Sequence, residues 1–172
     1  MLATGVRIGE ALAVSWPDVD LEAGTVDVSR TLIRLTGVGL VRKSTKTEAG
    51  ERRLILPRFA LEMLGERYPD GEAMGPLFPD TLGGWRDPSN TGRALRDARG
   101  SEGFAWVTSH VFRKTCATVL DAAGQSPRAV ADQLGHAQVS MTQNFYFGRR
   151  IANPGAASAL DAWHDREDES HG

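Results

Sequence analysis

At 172 residues, 41% of them hydrophobic and 24% charged, the chain is long enough to bury one real core and too apolar for wholesale disorder. Its single cysteine, Cys116, excludes an internal disulfide and with it the stapled secreted class, and no apolar run reaches the roughly 20 residues that would span a bilayer. The net charge of −2 is far from the basic balance of an autonomous nucleic-acid-binding domain.

The first seven residues, Met1-Leu2-Ala3-Thr4-Gly5-Val6-Arg7, lack the layout of a signal peptide, so a cytoplasmic location is expected. Residues 2–14 read as a helix that ends at Ser15-Trp16-Pro17, because the residue before a proline is pushed out of the α region. A turn at residues 20–24 leads into Thr25-Val26-Asp27-Val28-Ser29, which alternates with period two and reads as a strand. Two further strands are expected at 40–44 and 53–56, joined by a turn at 46–50. Pro57 suits a first helical turn, with Phe59, Met63 and Leu64 following at helical spacing up to Tyr68. The glycine- and proline-rich stretch 69–88 reads as loop, broken by a short strand at Leu77-Phe78.

A helix at 89–99 carries Arg93, Arg96 and Arg99 as a basic stripe, either a solvated face or a binding one. Thr108 or Ser109 caps the next helix, which runs to about Ala123 before Gly124. Its apolar stripe is Phe112, Cys116, Val119, Leu120 and Ala123, with His110 and Arg113 on another flank. Ser126-Pro127 opens another helix that closes at Gly135, and Ser140 with Gln143 fits a capping box for a short helix bearing Tyr146. Ala156, Leu160 and Trp163 give a last amphipathic segment. The fold class expected is α+β, mainly helical, with a small antiparallel β-sheet near the N-terminus.

Charge is unevenly placed. Residues 161–172 hold five acids against one arginine; the remainder carries 17 acids and 19 bases, and Arg42, Lys43, Lys46, Arg52, Arg53 and Arg58 fall within 17 residues.

Some polar residues suit phosphate chemistry. His110 falls in the first turn of its helix, where backbone N–H groups and the dipole favour an anion. Arg113 stands one turn on, and a guanidinium can clamp two phosphate oxygens. His136 follows a helix-ending glycine, and Tyr146 lies between Phe145 and Phe147. Together they could attack a phosphodiester with a phenol nucleophile, cationic stabilisers and proton carriers. Each has an ordinary structural reading too: His136 as a cap, Tyr146 as core, Arg7 and Glu10 as a helical ion pair, Lys46 as a solvated turn residue.

In combination and order these residues resemble the tyrosine recombinase (phage integrase) family. Thr4-Gly5-Val6-Arg7-Ile8-Gly9-Glu10 is similar to the family's Thr-Gly-x-Arg-x-x-Glu segment, and Trp16-Pro17-Asp18-Val19-Asp20 to the Trp-x-Asp-Ile-Asp that follows it. Lys46-Thr47 resembles the β-hairpin Lys-Thr that carries the catalytic lysine, with Lys43 a second candidate three residues earlier. His110-Val111-Phe112-Arg113 matches the His-x-x-Arg box, with Lys114 where a second histidine is common. Leu134-Gly135-His136 matches the Leu-Gly-His box, with Tyr146 ten residues beyond its histidine.

The resemblance implies metal-free cleavage and rejoining of double-stranded DNA through a 3′-phosphotyrosyl intermediate. The implied catalytic set is Arg7, Lys46, His110, Arg113, His136 and Tyr146, with Glu10 in support. No metal or other cofactor is expected, and no Asp/Glu cluster with ligand spacing stands in the sequence. It further implies a catalytic domain over 1–164 without the family's upstream DNA-clamping domain, hence weak DNA binding alone. Residues 165–172 are expected to be a disordered acidic tail. The segment 153–164 would dock on a neighbouring protomer in a DNA-bound homotetramer, or else pack on its own domain. The alternative function is an inactive integrase remnant acting only as a DNA-binding or interaction module; a helical binding domain unrelated to DNA would leave the ordered matches unexplained.

Overall fold

The computed structural model describes residues 1–45, 50–69, 73–100 and 103–138. Helix α1 (Ile8–Ala13) is shorter than the 2–14 helix expected, for a backbone reason. Gly5 has φ +69° and Arg7 is extended at ψ 156°, so the chain cannot coil before Ile8. There Glu10 accepts the Arg7 backbone N–H at 3.0 Å and starts the helix. Val14 is extended again, and Trp16–Asp18 forms a 3-10 turn in which Asp18 accepts from the Ser15 N–H and hydroxyl.

Strands β1 (Val19–Asp20), β2 (Thr25–Val28) and β5 (Arg52–Ile55) form an antiparallel sheet in the order β1-β2-β5. Its register sets Val26 opposite Leu54 and Val28 opposite Arg52, so the period-two pattern turns Val26, Val28 and Leu54 into the core. A second sheet is the hairpin β3 (Arg30–Leu35) with β4 (Gly39–Ser44). The sequence reading lacks β3 and joins the strands at 40–44 and 53–56 directly. Instead β4 pairs with β3 and β5 with β2, because β3 follows β2 after a single residue, with no turn signal between them.

Helix α2 (Arg58–Glu66) follows Pro57 as its N-cap. Its inward line is Ala60 and Leu64; Phe59 and Met63, expected on that face, fall one position round the helix and stand at the surface. The stretch 73–87 lies along α1, with Leu77 N–H donating to the Val14 carbonyl and Trp16 N–H to that of Gly75. In place of a strand at 77–78 it makes isolated bridges at Pro76 and Pro79. Asp87 caps α3 (Pro88–Arg99), where Arg93 and Arg96 are solvated and Arg99 donates to the Val107 carbonyl.

Helices α4 (Ser109–Ala122) and α5 (Pro127–Leu134) close on each other through Ala117, Val130 and Leu134. The Ser126 hydroxyl accepts the Ala129 N–H, and Gly135 ends α5 in the left-handed region, as the sequence predicts. The buried face of α4 differs from the expected stripe: Arg113, Cys116 and Ala117 point inward, whereas Val119 is 60% exposed. The capped helix at 140–146, the segment 153–164 and the acidic tail lie outside the described residues.

Gly5 sits at the junction of these parts. A Cβ there would lie 2.5 Å from Leu134 Cδ2 and 3.2 Å from Cys116 Sγ, and the Leu134 side chain is fully buried, with nowhere to swing. Gly37, in the β3–β4 turn at φ +76°, has nothing near it. Gly37→Ala should therefore lose only the left-handed backbone cost, about 1–2 kcal/mol. Gly5→Ala should lose that and a further 1–3 kcal/mol or so from overpacking. Urea unfolding of both variants checks this, and equal losses would mean that Gly5 is not packed against α4 and α5.

Candidate active site

Three of the six residues singled out by the sequence meet at one place. Arg113 is 2% exposed in the second turn of α4, a position that only full hydrogen bonding makes tolerable for a guanidinium. It donates to the Gly5 carbonyl, 108 residues back in sequence, and through Nη2 to His136 Nε2 at 2.7 Å. An arginine offers only donors, so His136 Nε2 must accept; the imidazole is neutral with its proton on Nδ1. The left-handed Gly135 turns the chain so that the ring of His136 folds back under α4, 8% exposed. Burial, with the charges of Arg113, Arg7 and Arg52 behind it and Glu10 opposing, lowers the imidazole from 6.5 to about 4.

Arg7, at the N-cap of α1, keeps its side chain 47% exposed while Nη1 donates to Glu10 Oε1 at 2.8 Å. Glu10 itself is 4% exposed and receives three donors: the Arg7 backbone N–H, Arg7 Nη1 and Arg52 Nη2. Burial alone would raise its carboxyl; the Arg7 N–H, the Arg52 charge and both guanidinium hydrogen bonds outweigh that and hold it below 4.5. Arg7, Glu10, Lys43 and His136 line one open cleft, which Thr45 and Gly50 also border. A second depression, which Arg7 also lines, is bordered by His110 and Arg113. His110, exposed in the first turn of α4, thus faces the same region.

Lys46 and Tyr146 lie outside the described residues. Lys43, the second lysine candidate, stands on β4 at the cleft wall. The sequence reading did not single out Arg52, the second partner of Glu10. Its signal was parity: two residues before buried Leu54, it falls on the inward face of β5. A separate hollow beneath α1 has almost wholly aliphatic walls, among them Val6, Val28 and Leu64, and offers no chemistry. Among the described residues, no three or more His, Cys, Asp or Glu are grouped to hold a metal ion, and no helix is long and apolar enough to cross a membrane.

A guanidinium and an amine on a cleft with a neutral, proton-bearing imidazole, itself hydrogen-bonded to the buried Arg113, can receive an anion with several oxygens, and a phosphodiester is such a group. The lowered His136 imidazole also has a stability consequence. Above pH 6.5 it is neutral whether folded or unfolded; between 6.5 and about 4 the unfolded chain takes a proton that the folded one refuses. Stability should then fall on acidification through that window by up to about 1.4 kcal/mol per pH unit. Glu10 adds its own loss below its ordinary value of 4.5. Urea titrations at about pH 7, 6 and 5 should show a shallower fall for His136→Gln than for the wild type. Parallel slopes would mean that the folded imidazole protonates normally.

Comparison with known proteins accords with this geometry. The transposase from transposon Tn916 of Enterococcus faecalis is 28% identical over 163 residues, which cover 85% of this chain and 40% of that protein. The crystal structure of XerA recombinase superposes with a TM-score of 0.63 at 27% identity, covering 95% of this chain and 55% of that one. The Tn1549 transposon integrase, solved in complex with a circular intermediate DNA, shares the fold with a TM-score of 0.75 at 24% identity, covering 94% of this chain and 55% of that one. The chain thus spans about two fifths of the length of the curated relatives first matched, 40% for the Tn916 transposase. The sequence model of the phage integrase family matches residues 1–150, and the chain belongs to that family.

Proposed function

We propose that the chain carries the catalytic centre of a site-specific DNA recombinase that cuts and rejoins duplex DNA without a metal, acting in the cytoplasm. The observation that carries this reading is the meeting of Arg113 and His136 beside Arg7, from three distant parts of the sequence, at the edge of an open cleft. Family membership supports it, as does the DNA-bound state of the Tn1549 integrase.

In this reading the Tyr146 phenolate attacks the scissile phosphorus. A P–O bond to the tyrosine forms as the bond to the 5′-oxygen breaks, leaving a 3′-phosphotyrosyl protein and a 5′-hydroxyl. A 5′-hydroxyl from a partner strand reverses the step, so the bond energy is conserved and no nucleotide is consumed. Arg7 and Arg113 offset charge on the non-bridging oxygens as the phosphorus becomes pentavalent. His136 keeps Arg113 in place through Nε2; as a donor to phosphate it would act through Nδ1–H, which carries its proton. His110 serves as base or orienter for the phenol, whose ordinary pKa is about 10. Lys46, or failing it Lys43, protonates the departing oxygen. Glu10 supports Arg7. Assembly as a homotetramer through residues 153–164 completes the proposal.

A nicked suicide duplex bearing the attachment sequence that flanks the gene tests the reading. The protein should form a DNA adduct that survives denaturation, and Tyr146→Phe should abolish it. Tyr68→Phe should not, since that ring only stands edge-on to Trp16 at 5.3 Å. Arg113→Ala and Arg7→Ala should each slow adduct formation by about 10²–10³-fold, the usual cost of losing an oxyanion donor. A bridging sulfur at the 5′ position leaves without a proton, so it should rescue the variant of the true general acid among Lys46→Ala and Lys43→Ala. An adduct that persists in Tyr146→Phe overturns the nucleophile assignment; no adduct from the wild type, even joined to an upstream DNA-binding domain, favours the inactive remnant.

A further inference from the structure

Arg52 has no role in the reaction as set out above, yet its surroundings are more specific than a strand-end arginine needs. It opens β5 on the inward face, beside Leu54 and opposite Val28, where the pattern of the sheet calls for an aliphatic side chain. Its side chain is only 8% exposed. The guanidinium reaches an acceptor in each of three separate segments, all at 3.0 Å: Nε to the Gln133 carbonyl, Nη1 to the Gly50 carbonyl, and Nη2 to Glu10 Oε2. Neither lysine nor a neutral side chain can span that fork.

Two of those acceptors lead directly to the site. Glu10 passes its other oxygen to Arg7 Nη1. Gln133 lies in the last turn of α5, three residues before His136, where the exposed helix carbonyls favour a cation. Gln133 also donates its side-chain amide to the Thr4 carbonyl, so the same helix end is tied to the segment leading into Arg7.

Charge adds a second argument. A buried Glu10 paired with Arg7 alone would neutralise it, and the pair would offer little to an incoming phosphate. With Arg52 sharing the carboxylate, the Arg7–Glu10–Arg52 set keeps one net positive charge, and Arg7 is held in place without being cancelled.

Resting on the recombinase reading, we propose that Arg52 is a positioning residue for strand cleavage. It fixes the Arg7 guanidinium through Glu10 and the His136 turn through the end of α5, and leaves Arg7 its attraction for the scissile phosphate. It touches no substrate.

The test compares cleavage of two suicide duplexes, one with a normal scissile phosphodiester and one with a methylphosphonate there, which has no non-bridging charge to offset. Arg52→Gln should slow adduct formation on the phosphodiester by about 10–100-fold, the usual cost of removing such a support. On the methylphosphonate its loss should be several-fold smaller. Arg52→Lys keeps charge but not the fork, so it should fall between wild type and Arg52→Gln with the same substrate bias. If Arg52→Gln does not fold, Arg52→Lys carries the comparison. Leu64→Ala, a core change away from the cleft, supplies the pattern of a merely structural loss, equal on both substrates. Equal losses for the Arg52 variants, or none, overturn the proposal while leaving the recombinase reading intact. A wild type that makes no adduct with either duplex overturns both.

Discussion

The structure turns on one buried cation. Arg113 brings a permanent charge under α4, where moving it from water would cost several kcal/mol if it were left unmet. Among the described residues, the acceptors that meet it include the Gly5 carbonyl, ahead of α1, and the His136 ring, just past α5. Satisfying Arg113 therefore forces the start of the described chain, the middle of α4 and the end of α5 into contact. The glycine at position 5 serves the same junction twice. Its left-handed backbone belongs to the turn that offers the carbonyl, and its lack of a Cβ lets Leu134 and Cys116 close in.

The basic cluster at residues 42–58 looks like one electrostatic patch in the sequence and proves to be several unrelated devices. Arg42 donates to the last carbonyl of α1 and to Asp18, and lies 4.7 Å over the Trp85 ring. Arg52 is buried with Glu10. Arg53 makes an exposed two-pronged contact with Asp27, and Arg58 an exposed helical pair with Glu62, the kind of surface contact that contributes little. Lys43 alone of the cluster's described members points its charge at the cleft without a carboxylate partner among the described residues. A net charge of −2 is thus compatible with a cationic site, because several surface arginines, Arg34, Arg53, Arg58 and Arg128 among them, are already matched by carboxylates.

What could be read from the sequence was local. Ser126-Pro127 and Gly135 bracket α5 because capping chemistry is set by the residues themselves, and Thr25–Val28 alternates because one face is buried. The motif order drew Arg7, Arg113 and His136 together before any coordinates did, and the structure joins Arg113 to His136 by a hydrogen bond and sets Arg7 on the cleft that His136 lines. The late start of α1 is a local miss, set by Gly5 and Arg7; the larger misses are non-local. Nothing between Val28 and Arg30 marks the change of sheet, so β3 was invisible, and with it the true partner of β4. Helical spacing sets Arg113 on a flank apart from the expected apolar stripe, and its burial there follows from its distant partners. In the sequence Arg52 is one cation of the basic cluster, and a strand taken from 53 hides its inward parity. The expected roles of Lys46 and Tyr146 rest on the motif order and the family match.

Assembling cations before a ligand arrives is unfavourable, and the site meets that difficulty in two ways. Glu10 supplies one negative charge, shared between Arg7 and Arg52 so that neither is moved far. His136 stays neutral, held near 4 by burial and by the three arginines around it, so it adds a hydrogen bond without adding repulsion. The arginines can wait in position because the one group among them able to shed its charge has done so.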